Sequence, residues 1–243
     1  MSEYERFALI FDSANAELAR ASLRLLELGI DVLYANDLDE AELLARQESE
    51  LLGAVLIPST LRRDRADALL SRVCSKLAAG PRALVLVGLE PEREFVEALR
   101  ARGVTWRLWE PFYERELRFV MTAAMATEHE GERRKAPRIP TEIATPVFMG
   151  RHRKDVTVHD LSATGAYLAA SNPFLEGSRL SFEIPLPDGL VAGKAEVANA
   201  NTADQPGRAD VPEGMGVAFT QLTPGSREKL EAFIQRWIQR FRL

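Results

Sequence analysis

The 243-residue sequence predicts two domains of different class. The first is an α/β domain on a five-stranded parallel sheet. The second is a six-stranded antiparallel β-barrel followed by an α-helix. Three features support this. In the first half, short apolar runs alternate with stretches whose apolar residues recur every three or four positions, as strands alternating with helices do. In the second half that spacing vanishes, and short strand-like runs are separated by Gly-, Pro-, Asn- and Asp-rich breaks. Between the halves lies a polar stretch, Thr127–Lys135 (TEHEGERRK), without apolar periodicity.

The first strand is Phe7–Phe11 (FALIF), followed by a helix over Asn15–Leu28 with Leu18, Ala21, Leu25 and Leu28 on one face and Gly29 as its stop. Asp31–Ala35 is the second strand, and Leu38–Glu48 a helix with Ala41, Leu44 and Ala45 on one side. Leu51–Ile57 is a buried strand ended by Pro58. A helix over Arg62–Ala78 stops before Gly80 and Pro81. Ala83–Val87, Glu92–Ala101, Val104–Trp109 and Phe112–Ala126 complete the alternation. Ligands of such folds sit at the carboxyl ends of the strands, here Phe11–Ser13, Pro58–Ser59, Val87–Gly88 and Trp109–Pro111.

In the second half the strands are Glu142–Phe148, Asp155–His159, Gly165–Ala170, Arg179–Ile184, Val191–Asn199 and Met215–Thr220. Six strands over about 80 residues imply an antiparallel barrel or sandwich. The last helix follows Thr223-Pro224-Gly225-Ser226, with Ser226 or Thr223 as its cap. Its stripe of Leu230, Phe233, Ile234, Trp237, Ile238 and Phe241 is expected to flank the barrel, which is too small to hold a core alone. The domains are expected at 1–128 and 129–243, with 129–140 as a linker.

Composition narrows the function classes. The chain is 46% hydrophobic, enough to bury a core. It has no apolar run long enough for a membrane-spanning helix. Its N-terminus lacks the plan of a signal peptide, and one cysteine, Cys74, implies a reducing compartment. A cytoplasmic protein is expected. Residues 1–128 carry 16 basic and 22 acidic side chains, and 129–243 carry 15 and 14, so the net charge of −5 belongs to the first half. That gives no general footing for nucleic acid. His129, His152 and His159 show no metal spacing with Cys74, so no metal is expected. Glu97-Ala98-Leu99 spells the signature of cyclic di-GMP phosphodiesterases but lies within a short helix, in a chain with no room for their large barrel. No nucleophile elbow, P-loop or dinucleotide fingerprint occurs, so a non-catalytic protein is expected.

The first half resembles a response-regulator receiver domain, which is flavodoxin-like, over roughly residues 5–126. The likeness rests on element order, length and Glu110-Pro111-Phe112, where that family has Lys-Pro-Phe. The family's acidic pair after strand one is reduced to Asp12 followed by Ser13. Its phospho-accepting Asp falls on Pro58, its Thr or Ser on Val87, and its Lys on Glu110. Aspartyl phosphorylation needs a carboxylate nucleophile, a hard cation and a counter-charge for the phosphoryl group. The expectation is a pseudo-receiver that takes no phosphate. Its expected use is contact with a protein partner, homodimerisation through the last helix being one form; the alternative is a half that only stabilises the chain.

Two segments of the second half carry binding chemistry. Arg134-Lys135-Ala136-Pro137-Arg138 places two arginines four apart in a non-helical stretch, preceded by Arg133. Asp160-Leu161-Ser162-Ala163-Thr164-Gly165 follows a strand. Arginine offers a planar fork for phosphate oxygens or a guanine edge. Asp160 can accept from guanine N1–H and its amine, Ser162 adds a short polar contact, and Gly165 gives a positive φ or close approach. These segments match the two signatures of PilZ domains, the bacterial cyclic di-GMP receptors, over about residues 131–243. Gly214-Met215-Gly216-Val217-Ala218-Phe219 and the terminal helix add to the likeness.

The resemblance implies a ligand site of Arg133, Arg134, Arg138, Asp160, Ser162 and Gly165, a linker that folds over the nucleotide, and a change in domain orientation. Arg133 implies a stacked pair of ligands. The process expected is motility or another surface or polarity function. The alternatives are an interaction adaptor with a silent nucleotide site and a ligand-dependent transcription regulator, against which the charge argues.

Overall fold

The computed structural model describes residues 6–12, 15–126, 137–202 and 212–243. The chain divides into two compact units, Met1–Arg133 with Phe241–Leu243, and Arg134–Arg240.

The first unit alternates β1 (Phe7–Phe11), α1 (Ala16–Glu27), β2 (Asp31–Ala35), α2 (Leu38–Gln47), β3 (Leu52–Pro58), α3 (Arg63–Arg72), β4 (Leu84–Gly88), α4 (Arg93–Ala101), β5 (Trp106–Trp109) and α5 (Glu114–Met125). Every strand pair is parallel, in the order β2-β1-β3-β4-β5. This is the expected five-stranded α/β sheet. Strands β1, β3 and β4 are apolar on both faces because helices cover both, and Leu9, Ile10, Val55, Leu56, Leu84 and Leu86 are wholly buried. α2 is capped by Asp37, whose carboxylate accepts from the amides of Asp39 and Glu40.

The helix expected to run to Ala78 ends instead at Arg72. It tightens into 3-10 turns over Cys74–Lys76 and Gly80–Ala83 as the chain turns back toward β4. Cys74 is fully buried there, as its apolar neighbours imply.

The second unit is a closed barrel of β6 (Ile139–Met149), β7 (His152–Ser162), β8 (Gly165–Ala169), β9 (Arg179–Leu186), β10 (Gly189–Asn201) and β11 (Gly214–Leu222). All six expected strands form, each within a few residues of its expected bounds. β9 shows why the barrel closes. Leu180, Phe182, Ile184 and Leu186 point inward, while Arg179, Ser181, Glu183 and Pro185 alternate outward. Phe182 stacks on Phe219 of β11 with ring centroids 4.7 Å apart.

α6 (Ser226–Gln239) buries Leu230, Ile234 and Ile238 and lies against β10. Two details differ from expectation. Its cap residue is Gly225 at φ +76°, with no side-chain cap. The Thr223 and Ser226 hydroxyls lie 2.7 Å apart and serve β10: Thr223 donates to the Ala192 carbonyl, and Ser226 accepts from the Ala192 amide. Phe241, expected on the helical stripe, lies beyond the helix and is counted in the first unit.

Candidate functional site

β7 and β8 are joined by the two-residue turn Ala163-Thr164, with Ser162 paired to Gly165. Ser162 is buried, and its hydroxyl donates to the Gly165 carbonyl at 3.0 Å while accepting from the Thr164 amide at 3.4 Å. The short polar side chain therefore ties the turn. Gly165 does not use a positive φ. A Cβ there would stand 2.3 Å from the Val217 carbonyl oxygen, so glycine is needed where β8 meets β11. Beside this turn opens a cleft of about 420 Å³, within the range of small-molecule sites.

Arg138, Ser162 and Gly165 all line the cleft. The structure thus brings together pieces of both sequence motifs. Asp160 is not part of the lining. It sits between Pro140 of β6 and Tyr167 of β8, its carboxylate 3.2 Å from His159 Nδ1. Arg133 and Arg134 lie outside the described residues.

The opposite wall was not read from the sequence. Asn199 and Asn201 of β10 line it, two residues apart and facing Gly216 and Gly214 of β11. A Cβ at Gly216 would fall 2.8 Å from Asn199 Oδ1, so the missing side chain makes room for that amide. Asn201 Nδ2 and the Tyr167 hydroxyl both donate to the Pro212 carbonyl, at 3.3 and 2.6 Å. The signal was an Asn-x-Asn opposite a Gly-x-Gly, but only the strand pairing shows that they meet.

Among the described lining residues there is one cation, Arg138, and no carboxylate. Hydroxyl, amide and phenol groups supply the rest of the polarity. One guanidinium among hydroxyl, amide and phenol groups suits an anion with hydrogen-bonding edges. No cluster of metal-ligating side chains occurs among the described residues.

The receiver-like positions of the first unit hold a different arrangement. Pro58 ends β3, and Asp12 follows β1 at φ +69°. Glu110 is gripped by Arg20 of α1, whose Nη2 lies 2.8 and 3.1 Å from the two carboxylate oxygens. Arg24 donates to the Phe112 carbonyl at 2.9 Å and lies over the Phe112 ring. Arg65 lies over the Phe11 ring and donates to the Asn36 carbonyl.

The second unit is thus a closed six-stranded barrel with a helix against it and a polar cleft at one hairpin. Residues 132–236 match the PilZ domain family. Solved structures similar to the chain include the following three. The Bacillus subtilis inhibitor of motility (MotI/DgrA) is 17% identical, with a TM-score of 0.38, over 47% of this chain and 57% of that one. The PilZ domain of Escherichia coli YcgR with c-di-GMP is 15% identical, with a TM-score of 0.33, over 44% and 96%. Borreliella burgdorferi PlzA in complex with c-di-GMP is 13% identical, with a TM-score of 0.32, over 51% and 50%. The chain thus spans about half the length of MotI and of PlzA. No curated protein matches it.

Proposed function

We propose that this chain is a non-catalytic signalling protein whose PilZ domain binds cyclic di-GMP. One observation carries the reading. Arg138, Ser162 and Gly165, from two motifs separated in sequence, meet on one cleft whose described lining residues include a cation and no carboxylate. A guanine nucleotide with two phosphates suits such a wall. Arg138, with Arg133 and Arg134 before it, supplies forks for phosphate or guanine. Asp160, just beyond the lining, serves a base edge. In this reading the ligand resets domain orientation or partner binding.

The first unit serves protein contact without phosphorylation. Its target in this reading is a component of motility, secretion or polarity, and a pull-down with the full chain, with and without nucleotide, identifies it.

Titration calorimetry tests the receptor reading. A hydrogen bond to a charged group contributes about 1.5–3 kcal/mol, and about 1.4 kcal/mol is tenfold in affinity. Arg138→Ala and Arg134→Ala should each weaken cyclic di-GMP binding about ten- to hundredfold. Absence of heat with the unmodified chain at micromolar ligand overturns the reading and leaves the adaptor with a silent site.

A further inference from the structure

β5 is an edge strand of the parallel sheet, so one side of its backbone faces no other strand of that sheet. An unpaired edge is a template for another extended segment. Here Phe241–Leu243, counted with the first unit, occupies it. The Arg107 amide donates to the Phe241 carbonyl and the Leu243 amide to the Thr105 carbonyl, both at 2.9 Å. These bonds flank an antiparallel bridge between Trp106 and Arg242.

The side chains complete the seat. Phe241 and Leu243 are only 5% and 8% exposed. Phe241 meets Phe119 of α5 at a centroid distance of 6.0 Å, and Phe119 meets Trp106 edge-on at 5.9 Å. Leu243 joins the cluster that includes Leu99 and Val104. Arg242, directly opposite Trp106, places its guanidinium 5.8 Å from that ring, a cross-strand cation–π pair. Two backbone bonds and alternate side chains in apolar seats are how a sheet edge recognises an extended peptide.

We propose that the β5 edge of the first unit is a peptide-strand docking site of aromatic-x-aliphatic specificity, and that residues 241–243 are its ligand in cis. The seat takes Phe at the first position and Leu at the third, with a cation between them for Trp106. Bound in cis, the tripeptide competes at high effective concentration with any outside strand of the same pattern. The site is closed while these residues are seated and open to a partner strand when they leave. This reading is independent of nucleotide binding.

Amide hydrogen exchange on the full chain tests it, comparing the unmodified protein with Phe241→Ser/Leu243→Ser. The expected result is a loss of protection of the Arg107 amide by about tenfold or more, with β1 and β3 unchanged. An amidated hexapeptide of residues 238–243, added at about millimolar concentration, should restore that protection in the double variant. The same peptide carrying both serines should not. Three outcomes overturn the proposal: unchanged Arg107 protection in the variant, no restoration by the peptide, or loss of protection spread over the whole sheet. The last would make the tripeptide an integral part of the core rather than a docked ligand.

Discussion

Arg20 and Glu110 form an ion pair at the carboxyl end of the parallel sheet, one guanidinium nitrogen shared between both carboxylate oxygens, where receiver domains hold a phosphoryl group with a lysine. The cation now comes from α1 and its counter-charge is a carboxylate of this chain. The two charges neutralise each other across elements far apart in sequence. Arg24, one turn further along α1, donates to the carbonyl of Phe112 in the segment after β5. The α1 helix and the β5–α5 connection are thus bridged by side chains of the protein itself.

That arrangement predicts the outcome of phosphorylation. Pro58 offers no nucleophile, and Arg20, the cation at this corner, is already paired with Glu110. Incubation with a small phosphodonor such as acetyl phosphate should leave no acid-stable, base-labile label on the chain. Asp12 and Asp64 are the carboxylates to inspect by mass spectrometry. Asp64 already pairs with Arg62 at 2.8 Å. An acyl phosphate on either residue would show that the site still works.

A second prediction concerns pH. Glu42 of α2 accepts from Lys76 at 2.9 Å, Arg72 at 2.7 Å and Arg46 at 2.6 Å. The Lys76 ammonium, then the Arg72 and Arg46 guanidinium groups, hold its carboxyl at about 2, below the ordinary 4.5. A carboxylate depressed in the folded state stabilises above its unfolded pKa and loses that contribution as pH falls through the folded one. Thermal unfolding of the unmodified chain and of Glu42→Gln should therefore differ most near neutral pH. The gap should narrow as pH drops from about 4.5 toward 2. Its cations are partly exposed to solvent, so added salt should shrink the gap as well. A gap that is constant across that range would place the effect in packing rather than charge.

The architecture was legible because each half has a strong period. β9 alternates residue by residue, and β3 and β4 are unbroken apolar runs. Where local chemistry allows two answers, a partner distant in sequence decides between them. Thr223 and Ser226 look like caps, yet their hydroxyls are drawn to Ala192 on β10. Phe241 continues a helical stripe, but its burial comes from Phe119 on α5, more than a hundred residues away in sequence. The candidate site divides the same way. Its motif side was legible from Arg138, Ser162 and Gly165. The wall of Asn199 and Asn201 depends on the register of β10 against β11, which a single strand does not encode.

The last prediction concerns how Asp160 is held. Neighbours on a regular strand point to opposite faces. Between Val158 and Asp160 the register of β7 against β8 shifts, with Val158 opposite Leu168 and Asp160 opposite Tyr167. The extra residue of that bulge is His159, and bulges re-aim side chains. His159 Nδ1 lies 3.2 Å from Asp160 Oδ2, and its ring meets Tyr167 edge-on at 6.0 Å. With Asp160 ionised, the contact places a proton on Nδ1, so the imidazole donates to the carboxylate. An asparagine amide nitrogen reaches about where Nδ1 stands, whereas leucine has no donor. His159→Leu should weaken cyclic di-GMP binding a few-fold, short of the roughly tenfold or greater loss expected for Asp160→Ala. His159→Asn should recover most of the difference. Calorimetry on the three variants separates the possibilities. If the leucine and asparagine variants bind alike and as weakly as Asp160→Ala, the ring matters for the bulge itself. If both bind as the unmodified chain does, Asp160 is oriented without His159.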